Sequence, residues 1–221
     1  MSSATLSEPA VRDGVFFTDP GPLPRGRHDL TRNQVQGVQR ERLLIAATEL
    51  LAADGYRAFG PGEVARRAGV SLAAFYGCFE NKAECVFGGY DRFIEVLLAR
   101  LGAVAVEGRT QAEIVRDMLG AYLGSLQSDP VVARAYQVEI DALGAPARER
   151  RRDALNLFAA FLEEVTRRTL PSRSLPQTAF IGVVYAARQL ASDALDTEAD
   201  PDLEALGEDL QAWVADLFRE V

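Results

Sequence analysis

Few residues in this chain are of the types that carry covalent or metal chemistry. The two cysteines, Cys78 and Cys85, are seven residues apart, which fits neither a zinc site nor a disulfide framework. The one histidine, His28, lies in a stretch rich in proline and glycine, and the sequence has no Gly-rich phosphate loop. We therefore expect that the chain is not an enzyme, has no catalytic residue, and binds no metal or cofactor. A redox role for the two cysteines stays open.

Two residues are suited to contacting phosphate. Tyr76 offers a hydroxyl, and Lys82 lies at the start of a predicted helix, where the helix dipole favours anions. Such donors position a protein on nucleic acid without reading its sequence. Each has a plainer alternative, since Tyr76 could pack in a core and Lys82 could be an ordinary surface lysine.

Arg25 and Arg27 belong to the segment Pro-Arg-Gly-Arg, which resembles the core of an AT-hook. Arginine is favoured in narrow, A·T-rich minor grooves. Residues 1–30 are rich in proline and glycine and lack a helical period, so we interpret them as a mobile arm that orders on DNA. Its removal should leave the fold stable. The alternative is a solvated basic linker.

Helical periodicity begins at Gln39, and strand-like alternation appears nowhere, so the predicted class is all-α. Gly55 ends the first helix, Pro61 begins the second, and Ser71 and Asn81 cap the third and fourth. The predicted helices are 39–54, 61–68, 72–78, 82–105, 110–127, 130–142, 146–169, 175–196 and 202–220.

The segment Glu63-Val-Ala-Arg-Arg-Ala-Gly-Val-Ser71 predicts a helix-turn-helix, because a glycine-containing turn joins two short helices. A plain helical corner is the alternative. The helix after Ser71 would be the recognition helix, but it carries few hydrogen-bonding side chains, which weakens the expected readout of bases. Its candidate DNA-facing residues are Ser71, Leu72, Ala73, Ala74, Tyr76 and Gly77.

Several positions over residues 39–90 match one known pattern in order and spacing: Gly55-Tyr56, Val64-Ala65, Ala68 to Ser71, Tyr76, Phe79 and Lys82. In these positions the chain resembles the TetR family of bacterial repressors. The resemblance implies an N-terminal three-helix helix-turn-helix domain, with Val70, Phe75 and Phe79 in a small core, joined to a C-terminal helical ligand-binding and dimerisation domain. The expected division is an arm over 1–30, a DNA-binding domain over 31–84 and a ligand-binding domain over 85–221.

The charge distribution suits this division. The chain carries a net charge of −8, yet residues 25–85 hold nine Lys/Arg against seven Asp/Glu. A mildly basic segment beside an acidic remainder is typical of one DNA-facing module on a body that DNA repels.

The C-terminal helices contain aromatic residues with polar tips, interleaved with Gln137, Asn156 and Arg188. Binding pockets are mostly apolar with a few polar groups, so we expect a mostly apolar small molecule there. Each aromatic could equally be a core residue. The candidate ligand-binding residues are Tyr90, Phe93, Tyr122, Tyr136, Phe158, Phe161 and Tyr185.

The segment 177–195 is apolar on nearly every face, and the last helix has a strong apolar stripe. The resemblance implies that two such helices from each subunit form a four-helix dimer interface. A core within one chain is the alternative. The candidate interface residues are Phe180, Val183, Val184, Leu206, Leu210, Trp213 and Leu217.

Together these features predict a DNA-binding transcription regulator, a repressor whose affinity for a double-stranded DNA operator is modulated by a small-molecule effector. The alternative is a helical ligand-binding or interaction protein with weak or lost DNA binding. No run of about 18 apolar residues and no secretory signal are present, so we expect a cytoplasmic homodimer without a membrane partner. The ligand, the operator and the direction of the ligand's effect stay open.

Overall fold

The computed structural model describes residues 10–21, 31–172, 174–198 and 200–217. Within these ranges the regular elements are helices, and the one β-type pairing is an isolated bridge between Asp13 and Phe17. The all-α prediction is confirmed. The helices are α1 (Arg32–Asp54), α2 (Pro61–Arg67), α3 (Leu72–Cys78), α4 (Lys82–Gly102), α5 (Gln111–Ser128), α6 (Pro130–Gln137), a 3-10 helix (Glu139–Leu143), α7 (Ala145–Thr169), α8 (Gln177–Thr197) and α9 (Leu203–Leu217).

Helix α1 begins two turns earlier than its apolar period predicts. Thr31 Oγ1 accepts from the backbone N–H of Gln34, and the Gln34 side chain accepts from the backbone N–H of Thr31. This reciprocal capping box satisfies donors that would otherwise lack partners. The first turns of α1 are mostly exposed, so they carry no apolar pattern from which the sequence could reveal them.

The first three helices pack into a small unit around the side of α1 that carries Leu43 and Leu44. Phe75 of α3 and Phe79 just beyond it are buried there, while Val70 in the turn is half-buried against the same core. This agrees with the implied small core. Helix α4 continues from this unit into the C-terminal helices, where α5 packs along α9 and α7 packs along α8.

Residues 10–21 do not form the mobile arm that the sequence predicted. Phe16 and Phe17 are each 2% exposed, and the Phe16 ring lies 5.2 Å from that of Phe93 in α4. The backbone N–H groups of Val11 and Arg12 donate to Glu49 and Asp129, at 3.0 and 2.9 Å. Burial of two phenylalanines explains why this segment packs, because each contributes about 1.5–3 kcal/mol.

No helix in the described part of the chain is long and apolar enough to cross a membrane.

Candidate DNA-binding surface and ligand cavity

The turn between α2 and α3 fixes the direction of the recognition helix. Gly69 has φ of +66°, a conformation that favours glycine, and the N–H of Val70 donates back to the carbonyl of Ala65 at 3.0 Å. Ser71 Oγ then accepts from the N–H of Ala74 at 3.1 Å and caps α3. The turn and cap predicted from the sequence are both present.

Most of the predicted DNA-facing residues of α3 lie on the surface. Tyr76 is 55% exposed and Leu72 is 47% exposed, whereas Ala74 is half-buried. Tyr76 therefore does not pack in the core, and its hydroxyl is accessible to a phosphate. Ser71, Ala73 and Gly77 are also exposed, and α3 carries no charged side chain.

Helix α1 also holds the far end of α3. Gln36 Nε2 donates to the carbonyl of Gly77 at 2.7 Å. This bond satisfies one of the last carbonyls of α3, which lack partners within the helix. No sequence signal predicts this bond, because Gln36 lies in the exposed part of α1 that its apolar period does not reach.

Lys82 has partners other than the predicted phosphate. Its Nζ donates to the carbonyls of Tyr56 and Phe59, each at 2.7 Å, and lies 3.9 Å from the centre of the Tyr56 ring. Desolvation lowers the pKa of Lys82, and the nearby Glu63 carboxylate opposes that change. The ammonium group thus ties α4 to the loop between α1 and α2, and phosphate would have to compete with two carbonyls for it.

Arg25 and Arg27 lie outside the described residues. Arg66, at the end of α2, and Arg32, at the start of α1, are exposed cations of the same N-terminal unit. The sequence reasoning did not single them out, because an exposed arginine alone carries no positional signal.

An apolar cavity lies among α4, α5, α7 and α8. It offers about 110 Å³ to the centres of water-sized molecules, whereas one water needs about 10–15 Å³. The cavity therefore has room for a molecule larger than water. Gln137 and Arg188 line it. So do five of the seven predicted ligand-binding aromatics, which are Tyr90, Phe93, Tyr122, Tyr136 and Phe158.

The other members of the predicted ligand set lie elsewhere. Phe161 is half-buried but does not line the cavity, Tyr185 is 42% exposed, and Asn156 is exposed. The helical period cannot separate these positions from the lining ones, because α7 and α8 each pack on more than one neighbour.

The phenols of the cavity wall are protonated at neutral pH. Burial raises the pKa of Tyr90 to about 12 and raises the pKa values of Tyr122 and Tyr136 further. Tyr122 Oη accepts from Gln137 Nε2 at 3.1 Å.

Tyr136 connects the cavity to the N-terminal unit. Its hydroxyl lies 2.7 Å from Thr48 Oγ1 in α1, and Thr48 donates to the carbonyl of Leu44 at 2.8 Å. Since the single hydroxyl proton of Thr48 is used in that bond, Tyr136 must be the donor to Thr48. A Cβ on Gly89 would overlap the Tyr136 hydroxyl, so glycine makes room for this pair.

The cysteines are poor candidates for redox chemistry. Burial raises the pKa of Cys85 to about 12 and also raises the pKa of the half-buried Cys78. Because the thiolate is the reactive form, both environments disfavour oxidation.

The predicted dimer residues fall into two groups. Phe180, Val183 and Leu210 are buried within one chain, so a partner cannot cover them, and the intrachain core is the correct interpretation for these three. Trp213 and Leu217 are each 40% exposed, while Val184 and Leu206 are half-buried. Two further large apolar residues of α8 are exposed, Tyr185 and Leu190.

Comparison with known proteins agrees with this architecture. The family model of the bacterial regulatory proteins of the tetR family matches residues 43–87, which include the helix-turn-helix. The nucleoid occlusion factor SlmA of Vibrio vulnificus is 30% identical over 139 residues, which are 62% of this chain and 69% of that protein.

Solved structures share the fold over most of the chain. The fatty acid degradation regulator FadR of Bacillus halodurans superposes with a TM-score of 0.69 and 18% identity, covering 80% of this chain and 94% of that one. FadR of Bacillus subtilis, solved in complex with stearoyl-CoA, gives a TM-score of 0.66 and 18% identity, covering 79% and 96%. The matched helix-turn-helix, the shared fold and the curated relative agree: this chain belongs to the TetR family of transcription regulators.

Proposed function

We propose that this regulator is a repressor whose affinity for its DNA operator is modulated by a mostly apolar small molecule. The DNA-facing surface would be the exposed side of α3, with Ser71, Leu72, Ala73, Tyr76 and Gly77. The effector would bind in the cavity among α4, α5, α7 and α8. The proposal assigns no catalytic activity to the chain and places its action in the cytoplasm, where an operator would be found.

The observation that carries this proposal is the position of Tyr136. Tyr136 lines the cavity, and its hydroxyl donates to Thr48 of α1. A ligand that moves this ring therefore changes a buried hydrogen bond on the helix against which α3 packs. Such a ligand can shift the equilibrium only by its difference in affinity for the two conformations.

The relatives support an apolar effector. FadR of Bacillus subtilis binds stearoyl-CoA, and the cavity here is likewise walled mostly by apolar side chains. The match in fold alone does not transfer that ligand, but the wall of this chain favours a molecule with a long apolar part.

We also propose a two-fold homodimer through α8 and α9. Tyr185, Leu190 and Trp213 are large apolar residues, each at least 40% exposed in the single chain. Our proposal is that these residues belong to one patch, since large contiguous apolar patches mark interaction surfaces. A dimer would place two copies of α3 on two half-sites, about one helical turn of DNA apart or a multiple of it. The division into an N-terminal unit to residue 84 and a C-terminal domain from residue 85 is part of the same proposal.

A second candidate is a ligand-binding protein with weak or lost DNA binding, because α3 carries no charged side chain. A gel-shift assay with DNA from upstream of the chain's own reading frame separates the two. Our proposal predicts a retarded complex that Tyr76→Ala weakens on all sequences alike, as loss of a phosphate contact should. Absence of a complex at any salt concentration would favour the second candidate.

A further inference from the structure

The charged groups of the cavity gather at one end. Among the residues that the structure describes, two charged ones line it, Arg151 of α7 and Arg188 of α8, and the charges of both act on Tyr90. Along α4 the lining runs from Tyr90 to Leu101, a separation of eleven positions that corresponds to about 16 Å of helix. Most of the remaining lining is apolar and includes Phe93, Ile94, Leu97, Met118, Leu119 and Phe158.

The two arginines share one carboxylate. Arg151 pairs with Asp141, and Arg188 Nη2 lies 3.8 Å from the other oxygen of the same aspartate. The nearby Asp91 is already paired with Arg150, at 2.9 Å. Within the described part of the chain, this end of the cavity therefore carries two cations for one available anion.

Arg188 is the more buried of the two cations. Its side chain is 11% exposed, and desolvation lowers its pKa, with repulsion from Arg151 acting in the same direction. Its partners besides Asp141 are the carbonyl of Gln137 and the side-chain amide oxygen of Gln189. Keeping a cation in such a place is costly unless an anion completes its surroundings.

We propose that the cavity binds a monocarboxylate with an apolar body, its carboxylate between Arg188 and Arg151 and its chain along α4 toward Leu101. This inference rests on the ligand-binding function proposed above and names the class of ligand. One additional negative charge balances the two arginines and Asp141. A guanidinium also matches the planar carboxylate with two parallel hydrogen bonds.

The neutral phenols support the same orientation. Tyr90 and Tyr122 line this end of the cavity, and the charge of Arg188 reaches both. Protonated hydroxyls can donate to a carboxylate oxygen. An ester or thioester would present an uncharged carbonyl here and leave one arginine without a balancing anion.

The test is calorimetric titration of the full chain with three probes of equal chain length, all below their micelle concentrations. Dodecanoate should bind at least about tenfold more tightly than methyl dodecanoate or dodecanoyl-CoA, because hydrogen bonds to charged groups contribute about 1.5–3 kcal/mol. Equal binding of the methyl ester would overturn the carboxylate assignment and leave the ligand-binding function standing. Binding of dodecanoyl-CoA alone would likewise overturn the carboxylate assignment and leave the ligand-binding function standing.

Variants of the charged end make the test specific. Arg151→Gln should weaken dodecanoate binding about tenfold or more and leave methyl dodecanoate unchanged. Asp141→Asn should tighten dodecanoate binding, since it removes the competing anion, and this keeps the test decisive if Arg151→Gln fails to fold. Arg150→Gln is the matched control, because Arg150 is the adjacent arginine of α7, pairs with Asp91 and does not line the cavity.

Three further outcomes would contradict the inference. Loss of dodecanoate affinity in Arg150→Gln equal to that in Arg151→Gln would show a general charge effect. Weaker dodecanoate binding in Asp141→Asn would mean that the aspartate does not compete with the ligand. If no probe binds, both this inference and the proposed apolar effector lose their support.

Discussion

The buried hydrogen bond between Tyr136 and Thr48 gives a quantitative prediction about the joint between the two parts of the molecule. Both residues are at most 2% exposed, so water cannot replace a lost partner in either position. Thr48→Val removes the acceptor and leaves the Tyr136 hydroxyl buried without a partner, which costs about 1–3 kcal/mol. For a chain of this length that corresponds to a fall in melting temperature of roughly 2–12 °C.

Tyr136→Phe is expected to be milder than Thr48→Val. Thr48 still donates to the carbonyl of Leu44, so its own hydroxyl stays satisfied, and the loss should be about 0.5–1.5 kcal/mol. In the double variant neither hydroxyl remains. We therefore expect it to be no less stable than Thr48→Val, because the second substitution removes the group that the first left unsatisfied.

The assay is denaturant unfolding of the parent, the two single variants and the double variant, analysed as a double-mutant cycle. Tyr122→Phe is the matched control, since its hydroxyl also lies in the cavity wall but bonds to Gln137 within the C-terminal helices. It should lower stability by a similar amount, and its effect should add to that of Thr48→Val. Additive losses for Thr48→Val and Tyr136→Phe would refute the hydrogen bond, and with it the proposed route from cavity to α1.

Three further predictions follow from particular contacts. Phe16→Ala should destabilise the whole protein by about 3–5 kcal/mol, as expected for a large buried side chain, and calorimetry that shows an unchanged melting temperature would mean that residues 10–21 do not pack as described. Trp213→Glu, which changes an exposed residue, should give a folded monomer by light scattering with unchanged far-UV circular dichroism, whereas a dimer that persists would place the interface away from α9. The free energy of unfolding should fall as the pH rises from about 9 toward 12, because burial raises the pKa values of Cys85 and Tyr90 to about 12 from 9.0 and 10.0 and the unfolded chain therefore loses these protons first. Cys85→Ala should make the free energy of unfolding depend less steeply on pH, and an unaltered dependence would show that the thiol does not contribute.

The elements near the helix-turn-helix could be predicted from the sequence because their signals are local. As predicted, Pro61 begins α2 and Ser71 caps α3, and Gly69 supplies the left-handed conformation that the turn requires. The start of α1 was missed because its capping box lies in a segment with no apolar period. The sequence thus predicts the end of a helix where a capping residue lies next to apolar residues with helical spacing.

The functional contacts could be predicted only in part, since they join residues far apart in the sequence. Thr48 and Tyr136 are 88 positions apart, and no periodicity relates them. Lys82 lies at the start of a helix as predicted, but two carbonyls of the loop between α1 and α2 set the direction of its side chain. For α8 the sequence showed apolar residues on several faces but not which faces its own chain covers.

Residues 10–21 give the cavity a second connection to the DNA-binding unit, beside Tyr136. Phe93 of the cavity wall packs against Phe16, and the same segment donates through the backbone of Val11 to Glu49 of α1. The other oxygen of Glu49 accepts from Arg67 at the end of α2, one residue before the turn that aims α3. A ligand that displaces Phe93 therefore acts on both helices that support the recognition helix. Because the two connections converge on α1, we expect Tyr136→Phe to reduce the effector's influence on DNA binding without abolishing it. Only loss of both contacts should make DNA binding independent of the effector.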